Sequence, residues 1–174
     1  MSTSHKEPHV FECHLVWTGA KQGGTTKYDA YSREHRIDFK GKGSLITSSA
    51  PAFLGDPAIH NPEDLLVAAL SSCHFLSYAS LCARSGVNVV AYEDDATGTL
   101  ELVNRVMRFT EVVLRPKVTI AEGSDAEMAR SLHERAHAAC FIASSVNFPV
   151  RNEPEIDISP ISLVAGAARS GAGS

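Results

Sequence analysis

Cys13, Cys73, Cys82 and Cys140 are the four thiols of the chain, and no two of them form a Cys-x-x-Cys pair. A cysteine can fill a core, ligate a metal or, as its thiolate, act as a nucleophile. Their spacing fits neither a disulfide framework nor a zinc ribbon. Cys73 and Cys82 lie in LLVAALSSCHFLSYASLCAR, a run of helical character. Nine residues at about 100° each set the two half a turn apart and about 13 Å along the axis. No disulfide joins them within one straight helix, so Cys82 is read as core. Cys13 alternates with Phe11 and Leu15 and is expected on their core-facing side. Cys140, in HAACFIASSV, and Cys73 remain as the pair still open, and each is equally readable as an inert packing thiol.

Other chemistries compete for the same residues. His133, His137 and Cys140 stand at i, i+4 and i+7, the spacing of metal ligands on one helix face. Yet LHERAHAA puts both histidines where an amphipathic helix is expected to face solvent, and no fourth ligand is identifiable. His74 follows Cys73 directly, but neighbours on a helix point about 100° apart, so it is expected to pack or to face a partner. A hydrolytic Cys/His arrangement finds no histidine set opposite Cys73 with an orienting carboxylate. A non-catalytic module would use an apolar cleft, with Phe53 and Phe75 as lining.

The elements that must position these groups follow from pattern. HVFECHLVW, residues 9–17, alternates as a strand, and a strand pair is predicted around Tyr28, Tyr31, Ile37 and Phe39, then a short strand in KGSLITSS. A proline-rich loop leads to Asn61 as N-cap, Pro62 at the first helical position, and Glu63 and Asp64 favourable to the helix dipole. A buried helix of about 22 residues is expected to run to Arg84, with Gly86 as its stop. Strands follow, with a turn at Thr97–Gly98. A second helix opens at Ser124–Asp125 with its periodicity carried through Met128, Leu132, Ala136 and Cys140, and PEIDIS closes as a strand. This is an α+β arrangement. One domain is expected over residues 1–160, with a disordered Gly/Ala/Ser-rich tail at 161–174. An apolar helix this long on a chain this short needs cover that a second subunit can supply.

The 174 residues, 44% hydrophobic and 21% charged with net charge -4, suit a globular chain and give no reason to propose nucleic acid or an anionic membrane as partner. MSTSHKEPHV lacks a signal-peptide core, and no apolar stretch is read as reaching the roughly 18 residues of a membrane span. A reducing cytoplasm is the expected setting.

NPEDLLVAALSSCHF, followed much later by AHAACFIASSV, resembles the OsmC/Ohr family of thiol-dependent hydroperoxide reductases. YSREHRIDFKG, SSAPAFLGDP and EPEIDIS are similar to its OsmC-like branch, in which a histidine after the first cysteine is unsurprising. The resemblance implies an OsmC-like fold, antiparallel sheets around a long central helix, in an intertwined homodimer. It implies Cys73 as the thiolate that attacks a hydroperoxide and Cys140 as the thiol that resolves the sulfenic acid to a disulfide. Glu63 matches the family glutamate, and Arg33 in YSREH matches the pocket arginine, with Arg36 close enough to compete. A guanidinium favours a thiolate and a leaving alkoxide, and a carboxylate can hold that fork in place. No bound cofactor is implied, only an external dithiol reductant. Ten residues of helix part Glu63 from Cys73 by roughly 15 Å, so one site can use both only if the glutamate comes from a second subunit.

Overall fold

The computed structural model describes residues 7–159, so the tail expected at 161–174 lies outside the described residues. The chain divides into two compact units, the first ending at Leu65 and the second beginning at Leu66.

The first unit is built on one antiparallel sheet of β1 (Cys13–Trp17), β2 (His35–Phe39) and β3 (Ser44–Thr47), in that order. Where a second strand was predicted around Tyr28 and Tyr31, the chain turns instead. The carbonyls of those two residues are taken by the Arg33 side chain at 2.6 and 3.1 Å, and the Ser32 carbonyl accepts from Trp17 Nε1 at 2.7 Å. Side chains thus take the place of a strand ladder there. Cys13, Phe11 and Leu15 are exposed, contrary to the core-facing side expected of them. The unit holds one three-stranded sheet with β1 at its edge, so alternation marks a face without burying it.

Helix α1 (Pro62–Ser85) starts where the sequence placed it. Asn61 Oδ1 accepts from the Asp64 N–H at 2.9 Å and the Asn61 N–H returns to Asp64 Oδ2 at 3.2 Å, a reciprocal cap of a kind worth about 1 kcal/mol. Gly86 ends the helix at φ 74°, and the Val87 N–H reaches back to the Cys82 carbonyl at 3.0 Å. A side chain at that φ would be strained, which is why glycine stands there. Burial is confined to one stripe, Leu70, His74, Tyr78 and Cys82, at intervals of four. Leu76 is 63% exposed, so the described residues leave part of the apolar circumference uncovered. By length and composition α1 also meets the threshold for a membrane span, contrary to the reading above. Its Ser, Tyr and His residues break the apolar run without lowering the mean hydropathy enough. His74 and Tyr78 on the stripe nevertheless pack into the core of the second unit.

That unit contains β4 (Val89–Asp94), β5 (Thr97–Val103), β6 (Val106–Leu114), β7 (Pro116–Ala121), α2 (Ala126–Ala139), β8 (Val150–Asn152) and β9 (Glu155–Ser159). Two three-stranded sheets result, ordered β4-β7-β9 and β5-β6-β8. Both are mixed: β8 runs parallel to β6 and β9 parallel to β7, because the α2 crossover returns the chain in the same direction. The turn predicted at Thr97–Gly98 is the start of β5. The hairpin turns at Asn104–Arg105, with φ 51° and 67°, the positive pair a two-residue hairpin loop demands. Asp125 caps α2 by accepting from the Met128 N–H at 3.0 Å. The helix ends one residue before Cys140, which is its C-cap rather than a helical residue. Tyr78, Cys82, Val118, Ile120, Leu132 and Ala136 form one core cluster, and Leu70, Val112 and Leu114 a second. Among the described residues the architecture is α+β with two α-helices.

Candidate functional site

The site candidates in the second unit are set by how α1 meets α2. Tyr78 Oη donates to the Ala129 carbonyl at 3.1 Å, and its ring stacks on His133 with centroids 3.9 Å apart. One turn back along α1, His74 Nε2 meets His133 Nδ1 at 3.0 Å. One residue further back, the Cys73 thiol lies near enough to Cys140 to raise its pKa. The partners on the second element advance, 129 to 133 to 140, as those on α1 recede. The helices therefore cross antiparallel, with two hydrogen bonds and then the thiol pair in order.

Cys73 and Cys140, the pair left open by spacing, are thus brought together, and both are free thiols. They differ in surroundings. Cys73 is half-buried, whereas Cys140 is 1% exposed. Burial, and then the Cys73 contact, pushes the Cys140 thiol up to about 11, opposed by backbone N–H groups of Ala143 and Ile142. The Ala143 N–H lies 3.4 Å from Cys140 Sγ, at the start of a short 3₁₀ turn, Ala143–Ser145. The C-cap backbone, extended at ψ 111°, turns Cys140 out of α2 into that turn. The arrangement keeps Cys140 a protonated thiol beside the half-buried Cys73. Cys82 is buried beside Tyr78, and burial raises its pKa, in keeping with a core residue.

His74 and His133 are both buried, and burial is the main cause that lowers their pKa values, to about 4 and about 3. Asp94 opposes this at His74 and His137 adds to it there, while His74 and then Arg130 add to it at His133. The two rings are a neutral pair sharing one N–H. His133 is thus not on the solvated side where the sequence reading put it. Ala129, Leu132, His133 and Ala136 occupy i, i+3, i+4 and i+7, an interior stripe with His133 at its centre. That spacing was the available signal, and residue type obscured it. Among the described residues no three His, Cys, Asp or Glu side chains converge as a metal site requires, so His133, His137 and Cys140 do not form one.

Arg33 and Glu63 belong to the first unit. The Arg33 guanidinium lies over the Tyr31 and Tyr28 rings at 4.4 and 4.9 Å and lines a cavity of about 470 Å³ with Asp29, Glu34, Ser48 and Asp56. A second cavity of about 350 Å³ beside Arg33 is walled by Leu15, Trp17, Tyr31 and His35. Arg36 is instead committed to Asp38, by Nε at 2.9 Å and Nη2 at 3.1 Å. Of the two arginines, Arg33 is the one that faces cavities. Glu63 Oε2 is buried and lacks a hydrogen-bond partner. The structure does not pair Arg33 with Glu63: the recorded Arg33 partners are backbone carbonyls.

A family model for OsmC-like proteins matches residues 55–155, the stretch that holds α1, α2 and both cysteines. An OsmC-like protein of unknown function from Vibrio cholerae is 32% identical, superimposes with a TM-score of 0.78, and is matched over 85% of this chain and all of its own. The uncharacterized protein YmaD of Bacillus subtilis is 26% identical over 67% of this chain and 81% of that protein. An organic hydroperoxide resistance protein from Elizabethkingia anophelis shares the fold at a TM-score of 0.65 and 15% identity, over 88% and 99% of the two chains.

Proposed function

The chain belongs to the OsmC-like family, and from that premise we propose that it is a thiol-dependent peroxidase that reduces organic hydroperoxides. The observation that supports this reading is that the half-buried Cys73 and the buried Cys140 lie near enough for one thiol to raise the pKa of the other. The name of the structurally similar Elizabethkingia anophelis protein, an organic hydroperoxide resistance protein, points the same way.

The Cys73 thiolate attacks the distal peroxide oxygen. The O–O bond breaks, a Cys73 sulfenic acid forms, and the alkoxide leaves to take a proton from water. The Cys140 sulfur then attacks the Cys73 sulfur, its proton and the sulfenic hydroxyl leave as water, and a Cys73–Cys140 disulfide results. An external dithiol reduces that disulfide by thiol exchange and is itself oxidised to a disulfide. Burial suits Cys140 to this order. Held as a thiol, it does not compete for peroxide, and it gives up its proton only as it attacks the sulfenic sulfur.

Arg33 is assigned to the leaving alkoxide and Glu63 to holding the guanidinium. Glu63 Oε2 is buried and has an acceptor position open to a guanidinium. Because Glu63 and Cys73 are ten helical residues apart, the reading includes a homodimer in which a second copy supplies the glutamate. The exposed apolar side of α1 supports that assembly. Antioxidant defence in a reducing cytoplasm is the corresponding role. The test is consumption of cumene hydroperoxide with a dithiol: Cys73→Ser should abolish it, and full activity in that variant would overturn the reading.

A further inference from the structure

We infer that the His74–His133 hydrogen bond is a positioning device for disulfide formation: it pins the Cys73 segment of α1 to the helix that ends at Cys140. This rests on the proposed peroxidase cycle and goes beyond it, because neither histidine touches a reacting atom in that cycle.

Of the two hydrogen bonds between the helices, Tyr78 to Ala129 is the farther from the thiols and His74 to His133 the nearer. When Cys73 is oxidised to its sulfenic acid, Cys140 has still to reach the Cys73 sulfur. The His74–His133 bond is then the nearest remaining tie, one residue from Cys73 and seven from Cys140. The tie is stiff. Both rings are buried, they lie nearly parallel at 12° with centroids 5.3 Å apart, and His133 is backed by the Tyr78 ring. It is also dedicated: His74 Nδ1 and His133 Nε2 are buried without hydrogen-bond partners, so the nitrogens that meet each other are the ones in use. Two imidazoles are a costly way to fill a core that Leu or Phe would fill without unsatisfied nitrogens. Directional fixing of one helix on the other is what they add.

Two substitutions of the same chemistry and different reach test this. In His74→Gln the amide nitrogen occupies the place of Nε2 and can bond His133 Nδ1, whereas in His74→Asn it stops short. Stopped-flow mixing with cumene hydroperoxide, quenched with dimedone and read by mass spectrometry, separates sulfenic acid formation on Cys73 from its conversion to disulfide. Loss of about an ångström of placement slows a positioned step roughly 10- to 100-fold, so His74→Asn should slow disulfide formation by that range and leave sulfenic acid formation within about twofold. His74→Gln should resolve near the wild-type rate. His133→Leu should slow the same step, and His74→Asn/His133→Leu should be no slower than either single variant, since all remove one bond. The inference is overturned if a folded His74→Asn or His133→Leu forms the disulfide at the wild-type rate, or if His74→Gln is as slow as His74→Asn. If the wild-type protein forms no sulfenic acid on Cys73, the peroxidase reading itself fails and takes this inference with it.

Discussion

The buried histidine pair should make the protein acid-sensitive between pH 7 and pH 5. His74 and His133 have folded pKa values lowered from 6.5 to about 4 and about 3, chiefly by burial. Above pH 6.5 both states hold these rings neutral and the pair contributes its full stability. As pH falls below 6.5, unfolded histidines take up protons that the folded ones refuse, so the unfolded state gains. Stability is lost progressively until the folded rings themselves titrate, near pH 4 and pH 3. Between pH 7 and pH 5 the unfolded state gains about 1.5 pH units of proton binding per histidine, or about 2 kcal/mol each at 1.36 kcal/mol per unit. The two together cost about 4 kcal/mol, a large share of an ordinary domain stability. With a urea slope of about 2 kcal/mol/M, the wild-type midpoint should drop by about 2 M between those pH values. His74→Gln/His133→Asn replaces both rings by amides that do not titrate, and its midpoint should drop far less over the same interval. Urea unfolding followed by far-UV circular dichroism, at one protein concentration so that assembly is held fixed, measures both. If the double variant loses as much as wild type, the rings are not the buried neutral pair described here.

Other consequences are simpler to read. Cys140→Ser should still form the Cys73 sulfenic acid but accumulate it, since no resolving thiol remains, and a dimedone adduct seen by mass spectrometry checks this. Glu63→Gln should leave the assembly intact while slowing hydroperoxide turnover, and sedimentation at twice the 18.6 kDa chain mass is the expected state of both proteins. Asp125→Ala should cost about 1 kcal/mol in urea unfolding through loss of the cap on Met128 N–H. Leu132→Ala, at a fully buried position, should cost about 2–5 kcal/mol in the same assay.

What the sequence made legible depends on whether the cause was local. The start of α1 was readable because Asn61, Pro62 and Asp64 act within one turn, and its end because Gly86 takes a φ that other residues avoid. The separation of Cys82 from Cys73 followed from helical geometry alone. The approach of Cys140 to Cys73 depends on α2 crossing α1 antiparallel and on an extended C-cap, neither of which has a local signature. Cys13 and Leu15 alternate as a buried strand would, yet nothing in the alternation tells which sheet faces are covered. His133 was misread because a polar type outweighed its interior spacing. The turn at Asn104–Arg105 was missed for a related reason: two non-glycine residues carry the positive φ that a Gly-containing pair, such as Thr97–Gly98, seemed better suited to supply.

The most direct test of the central claim is peptide mass mapping after one equivalent of cumene hydroperoxide under non-reducing conditions. The account predicts a single intramolecular disulfide between Cys73 and Cys140, reversed by a dithiol and absent from Cys73→Ser, while Cys82 stays a free thiol. Unmodified Cys73 with consumed peroxide, or a disulfide through Cys82 or Cys13 in place of Cys140, would contradict it.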